Sequence, residues 1–270
     1  IVVVAMVFLP ELRVGGMQIF RTESFDTFGK ILPRATEIAS RISVIYVSLT
    51  MACAVAYVLA GMDAFDATVH AMTTIATGGF SNYDSSFGAF GPGACYVATV
   101  FMILAALPFV RFVQLSAGTA RPLLQDTQIH AFLGTATIIV ILIAGWNISQ
   151  QSTINEKAIR VAIFNAVSLM TGTGYANADY MQWGSFAIAV LFFTGLIGGC
   201  AGSTACSIKI FRYQLLFASI RAQLQKTRSP NGVFIPRYAG RPVGEDVLNS
   251  VMSFFVFFIV TLGLLSIGLA

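Results

Sequence analysis

Five stretches of this chain, 42–60, 92–110, 131–149, 185–208 and 247–270, contain no charged residue. Each is close to the ~20 residues that a helix needs to cross ~30 Å of hydrocarbon. Within lipid every backbone N–H and C=O must find a partner inside the protein, which for runs of this length means helices. The whole composition agrees. The chain is 56% hydrophobic and 10% charged, where soluble domains carry roughly 25% charged residues. The class is therefore an all-α membrane protein.

The charges that remain are sorted along the chain. Fourteen of the sixteen Lys and Arg residues fall in 10–41, 111–130 and 209–246, whereas 61–91 and 150–184 hold only Lys157 and Arg160. The positive-inside rule places the three basic segments in the cytoplasm, and five successive crossings satisfy it. The net charge of +4 thus reports orientation, and nucleic acid is not expected as a partner. Cys53, Cys95, Cys200 and Cys206 form no CxxC pair and read as small packing residues. Soluble enzyme chemistry is not expected. The stretch 198–207 lacks the Gly-Lys-Ser/Thr ending of a phosphate loop. No zinc spacing occurs, and two histidines offer no credible Ser/His/Asp set.

The two external segments are unusual. Residues 63–77 and 156–170 each read as a short helix with an acid at its N-terminal end, where the helix dipole favours it. Fifteen helical residues cover only ~22 Å, so neither can span. Glycines and polar residues follow each at once, and then another apolar run. This is the pattern of a re-entrant loop, half-helix in and extended strand back, which survives at membrane depth only when buried or lining a water-filled cavity. An amphipathic helix lying flat on the outer surface is the competing reading.

A shift of 95 residues superposes the two segments. Gly79, Asn82 and Asp84 fall on Gly174, Asn177 and Asp179, and an aromatic residue, Phe80 or Tyr175, follows each matched glycine. His70 to Ala76 falls on Asn165 to Thr171, and the flanking runs align as well. The unit is helix, re-entrant pore loop, helix. It is expected twice complete and twice partial, arranged around a pore, with residues 1–9 ending an earlier copy and 247–270 opening a later one.

Such hairpins suit a desolvated monovalent cation. Backbone carbonyls replace its water without full charge, so the ion is held and can still leave. Aiming successive carbonyls at one axis needs dihedrals that glycine tolerates. The hairpins 77–81 and 172–176 place Gly79 and Gly174 at that turn, and the half-helices would point their partly negative C-terminal ends at the ion.

The residues 70–81 resemble the second-repeat filter of the Trk/Ktr/HKT superfamily of potassium transporters, particularly the bacterial TrkH type, and 172–176 resembles its third-repeat filter. The run Gly198-Gly199-Cys200-Ala201-Gly202-Ser203-Thr204, followed by Lys209 and Arg212, resembles the segment that interrupts the second helix of the third repeat. Residues 15–21 resemble the linker after the first repeat. The resemblance covers essentially the whole chain. It implies potassium uptake across the bacterial cytoplasmic (inner) membrane by a multi-pass pore-forming subunit, with a sodium or mixed-cation permease as the alternative. Channel-like flow and symport would use similar filters. The implied filter residues are Thr77, Gly78, Gly79, Phe80, Gly172, Thr173, Gly174 and Tyr175. The implied gate loop comprises Gly198, Gly199, Gly202, Ser203 and Thr204, with Ala205-Cys206-Ser207 where the family usually has glycines. The resemblance also implies a homodimer, a cytoplasmic nucleotide-binding regulatory subunit, potassium as substrate, no transition metal and no cofactor. Its boundaries are 1–41 for the end of the first repeat and a linker, 42–112 for the second repeat and 113–130 for a linker. The third repeat, with its interrupted helix, takes 131–225, and a linker with the first helix of the fourth takes 226–270.

The remaining singular residues have plain readings. His70 reads as a hydrogen-bonded packing residue, with a ligand or relay role as the sharper alternative. Asp63 and Asp66 are helix-start acids; Asp84 and Asp179 either cap loops or draw cations to the mouth. His130 is interfacial, Lys209 and Arg212 are either cytoplasmic anchors, the commoner case, or a charge below the gate, Trp146 and Trp183 fit an outer aromatic belt, and 253–259 faces lipid or packs.

Overall fold

The computed structural model describes residues 35–151, 155–229 and 232–269. The expected first-repeat linker at 15–21 and the run 1–9 lie outside them. The chain forms two compact units that divide between Ser207 and Ile208.

The first unit begins with helix α1 (Ala35–Leu59) and the short α2 (Ala64–Ile75). Asp63 caps α2, its carboxylate accepting from Phe65 N–H at 3.2 Å. Next come α3 (Pro92–Ala105), α4 (Phe109–Ser116), the single turn α5 (Arg121–Leu124) and the long α6 (Thr127–Gln151). The second short helix α7 (Glu156–Thr171), capped by Asn155, and α8 (Ser185–Leu196) complete the described helices of this unit. The expected half-helices are therefore present, of 12 and 16 residues.

Two apolar runs depart from the single spans expected of them. The run 92–110 breaks after Ala105, and α3 and α4 meet at 90°. Leu107-Pro108 explains the break, since proline lacks the N–H that a continuing helix needs and restricts the residue before it. The run 185–208 is helical only to Leu196, ~18 Å of rise. Glycines 198, 199 and 202 follow in irregular backbone.

The core of this unit is made by small residues facing large ones. Ala67 and Ala71 on α2, Ala94 and Ala98 on α3 and Cys53 on α1 are buried, and let the backbones approach. Tyr57, Phe87, Met102, Phe164 and Tyr175 fill the space between them. The outer faces of α1 and α6 stay apolar and exposed, as at Val47, Met51, Val55, Ile138 and Ile141, which suits lipid.

The second unit contains α9 (Ile210–Arg228), a two-residue ladder of β1 (Arg237–Tyr238) with β2 (Arg241–Pro242), and α10 (Glu245–Leu269). Ala239 and Gly240, both at positive φ, close that hairpin, as a type I′ turn requires. The Arg212 guanidinium lies 3.8 Å from the centroid of the Phe254 ring, so the cation is spent on an aromatic face within this unit. Among the described residues Ser40–Leu59, Thr127–Gln150 and Glu245–Leu269 are long and apolar enough to cross a membrane.

Candidate functional site: two filter hairpins and the loop beneath them

The half-helices end in the same unusual way. Thr77 has φ 49° and Gly79 has φ 68°; Gly172 and Gly174, 95 residues on, have φ 73° and 85°. The residues between, Gly78 and Thr173, are not left-handed. Alternating hands reverses the usual out-and-back swing of successive peptide planes, so that neighbouring carbonyls can share one side. Thr77 is the notable member. A β-branched residue in the left-handed region is a genuine outlier that its surroundings must hold. Its hydroxyl lies 2.7 Å from Ala76 O and 2.8 Å from Thr204 O, and its one proton is shared between these two acceptors.

The two hairpins meet. A Cβ on Gly79 would stand 1.8 Å from Thr173 O and 2.9 Å from its carbonyl carbon. Gly79, Thr173 and Gly174 are thus drawn to one place, and glycine at 79 is a steric requirement as well as a dihedral one.

Bracing bonds recur at the same offset of 95. Thr73 Oγ donates to Phe80 O at 3.1 Å, and Ser168 Oγ donates to Tyr175 O at 2.7 Å. His70 Nδ1 bonds Asp66 O at 2.8 Å, and Asn165 Nδ2 bonds Val161 O at 2.8 Å. A carbonyl can only accept, so Nδ1 of His70 carries the proton, and in the neutral ring Nε2 accepts from Ser81 Oγ at 3.0 Å. His70 is fully buried and bonded at both nitrogens, which matches the packing reading. Asn165 instead reaches the strand after its own hairpin, through Asn177 Oδ1 at 2.7 Å. The carbonyls of Phe80 and Tyr175 are therefore partly committed to hydroxyls, each keeping a second lone pair.

Tyr175 and Phe80 occupy equivalent positions with opposite surroundings. Phe80 is 75% exposed, Tyr175 1%. The Tyr175 hydroxyl donates to Thr73 Oγ, and lies 3.3 Å from Thr74 Oγ and 3.2 Å from His70 O. Its ring packs on Phe87 with centroids 4.4 Å apart. Phe87 N also donates to Ala176 O at 2.9 Å. The second hairpin is thus fastened to the first half-helix. Sequence reasoning missed Thr73, Ser168, Asn165 and Phe87 as supports. The hydroxyl match of Thr73 with Ser168 was a usable signal; Phe87 had none.

Beneath the filters, residues 197–207 touch the C-terminal ends of both half-helices. Thr204 Oγ donates to Ile75 O at 2.8 Å, and Cys206 N donates to Thr171 O at 3.1 Å. These carbonyls are among those a helix end leaves without a partner. A Cβ on Gly198 would meet Cys206 O at 2.1 Å, and one on Gly199 would meet Ala205 Cβ at 2.6 Å and Ala106 O at 2.9 Å. Gly202 has open space but φ 71°, and Ser203 Oγ donates to Cys200 O at 2.6 Å. All five expected gate residues lie in this one segment. Ala205 and Cys206, standing where glycines were expected, pack into it: Ala205 against Gly199, and Cys206 against Gly172, where a Cβ would lie 2.6 Å from its own.

Asp66 and Glu156 stand in the first turns of the half-helices, outside the spanning helices. Hydrogen bonds from Asn82, at 2.9 Å, and Tyr83, at 2.7 Å, hold the Asp66 carboxyl below its ordinary pKa. Arg160, then Tyr96, do the same for Glu156. Asp179 caps its own loop by accepting from Met181 N and Gln182 Nε2. Trp146 Nε1 donates to Trp183 O at 2.7 Å, joining the two expected belt residues.

With this geometry in view, the comparisons with known proteins converge. The model of the TrkH family, described as a cation transport protein, matches residues 1–269. The Trk system potassium uptake protein TrkI of Halomonas elongata is 40% identical over 272 residues, covering 100% of this chain and 55% of that protein. The TrkH proteins of Vibrio parahaemolyticus and Escherichia coli K12 are 35% and 34% identical, over 100% and 99% of this chain and 58% of each of theirs. The crystal structure of the potassium transporter TrkH from Vibrio parahaemolyticus superposes with a TM-score of 0.82 at 32% identity, covering 98% of this chain and 56% of that one. The chain spans little more than half the length of the relatives it matches.

Proposed function

Since the chain belongs to the TrkH family of cation transport proteins, we propose that its two hairpins form part of a potassium-selective pore. The observation that carries this reading is the alternation of left-handed residues at 77 and 79, repeated at 172 and 174. Carbonyls of Thr77, Gly78 and Gly79, and of Gly172, Thr173 and Gly174, take the place of the ion's water. Phe80 and Tyr175, whose carbonyls already accept hydroxyls, close the outer end. The half-helices aim their C-termini at the ion, and their partial negative charge favours a cation there.

The loop 198–207 is the gate in this proposal, because its donors occupy the carbonyls of Ile75 and Thr171 at the inner feet of the filters. The basic segments face the cytoplasm of a bacterial cell, and the protein lies in the inner membrane. The homodimer and the nucleotide-binding regulatory subunit belong to the same proposal and rest on the family.

The test is ion flux by the whole protein in reconstituted vesicles. Potassium or rubidium uptake well above sodium uptake is expected. Equal passage of sodium would overturn potassium selectivity and favour the mixed-cation permease.

A further inference from the structure

We infer that Gln128 is a positioning residue that holds the gate loop in place, and that the Arg111–Asp126 ion pair sets Gln128 in its position. The inference rests on the reading of 198–207 as the gate.

The bend between α3 and α4 forms a socket for this loop. Cys200 N donates to Ala106 O at 2.9 Å, Phe109 N to Gly202 O at 3.0 Å and Thr204 N to Ala105 O at 3.2 Å. These bonds come from backbone that the Leu107-Pro108 break leaves free. One more bond comes from a side chain on a different helix. Gln128 Oε1, in the first turn of α6, accepts from Ala201 N at 2.9 Å.

Asp126 governs where Gln128 sits. One of its oxygens accepts from Gln128 N at 2.8 Å, and the other pairs with Arg111 Nε at 2.6 Å. Arg111 also donates to Gln114 Oε1 at 3.0 Å. The Asp126 side chain is 5% exposed, so the pair is shielded from water and salt. A continuous chain results: Gln114, Arg111, Asp126, Gln128, Ala201. From there the loop reaches Thr171 O through Cys206 and Ile75 O through Thr204. At the other end, residues 115–121 form an exposed elbow. A displacement of that elbow would reach the feet of both filters through this chain.

Cys206 supplies the readout. Among the described residues it is the exposed cysteine; Cys53, Cys95 and Cys200 are buried. The whole protein, with its other cysteines replaced by alanine, is reconstituted as wild type, Gln128→Ala, Gln128→Glu and Asp126→Asn. Methanethiosulfonate labelling of Cys206, basal potassium flux and the potassium-to-sodium ratio are measured. Gln128→Ala is expected to raise labelling and basal flux about fivefold, the factor that one neutral hydrogen bond of about 1 kcal/mol supplies, with the ion ratio unchanged. Gln128→Glu keeps an acceptor for Ala201 N–H and is expected to behave as wild type. Asp126→Asn keeps the cap on Gln128 but loses the ion pair, and is expected to fall between. Wild-type labelling and flux in a folded Gln128→Ala protein would overturn the inference, as would a Gln128→Glu protein as leaky as Gln128→Ala. A wrong filter reading shows itself differently, as wild-type protein that does not prefer potassium.

Discussion

A methyl group on Gly79 would stand 1.8 Å from the carbonyl oxygen of Thr173, a residue 94 positions further along the chain. The two filters are therefore not independent turns. Each fixes how far the other can move, and the closest approach falls between a residue with no side chain and an oxygen assigned to the ion.

The four filter glycines should consequently differ in their tolerance of alanine. Gly79 combines φ 68° with that collision, and Gly172 combines φ 73° with Cys206 Cβ at 2.6 Å. Gly174 has φ 85° but open space around it, whereas Gly78 is not left-handed and would meet the Phe80 ring at an ordinary 3.4 Å. Thermal denaturation in detergent should rank Gly78→Ala nearest wild type. Gly174→Ala should follow, about 1–2 kcal/mol less stable from the left-handed penalty alone. Gly79→Ala and Gly172→Ala should be worst.

Thr77 holds a left-handed backbone with one hydroxyl proton shared between Ala76 O and Thr204 O. Thr77→Ser keeps the hydroxyl and should stay close to wild type in stability and flux. Thr77→Val keeps the branched Cβ and the strain but loses that donor, and should be less stable by about 1–3 kcal/mol. A Thr77→Val protein as stable as Thr77→Ser would show that the hydroxyl does not hold the strain.

Tyr175 is the bolt between the repeats. Tyr175→Phe keeps the ring against Phe87 and removes the hydroxyl that meets Thr73, Thr74 and His70 O. A loss of about 1 kcal/mol of stability is expected, of the order of one net hydrogen bond. Potassium-over-sodium preference should fall with it. Phe80→Tyr, at the exposed equivalent position, should change stability little. Equal effects of the two substitutions would contradict the assignment.

Asp66 braces the strand after the first filter through Asn82 and Tyr83. Its folded pKa lies below the 3.8 of an ordinary aspartate. A lowered carboxyl pKa contributes stability that is complete above the unfolded value and is lost as pH falls through the folded one. The stability difference between wild type and Asp66→Ala should thus be flat from neutral pH down to about pH 5 and shrink only below 3.8. A difference that already shrinks well above about pH 5 would show that these bonds do not hold the Asp66 carboxyl low.

Much of this was legible in residue order. The uncharged runs announced helices, and the 95-residue register paired Gly79 with Gly174 before any geometry was known. The register also carried, unread, the pairing of Thr73 with Ser168. Two things were not legible. The bend at Leu107-Pro108 hid inside an apolar run, because hydropathy carries no information on where a helix must turn. The opposite fates of Phe80 and Tyr175 come from contacts between units distant in sequence, and a period within one strand cannot encode them. Ala205 and Cys206 stand where the resemblance leads one to expect glycines. The structure shows instead small side chains filling gaps left by Gly199 and Gly172.

The central claim is that close apposition of the two filters sets ion choice. The most direct measurement is the potassium-to-sodium flux ratio of Gly79→Ala beside Gly78→Ala, in the whole protein in vesicles. The account predicts a ratio reduced about tenfold or more for Gly79→Ala, equivalent to 1.4 kcal/mol of lost discrimination, and a near wild-type ratio for Gly78→Ala. A folded, conducting Gly79→Ala protein with the wild-type ratio would contradict it.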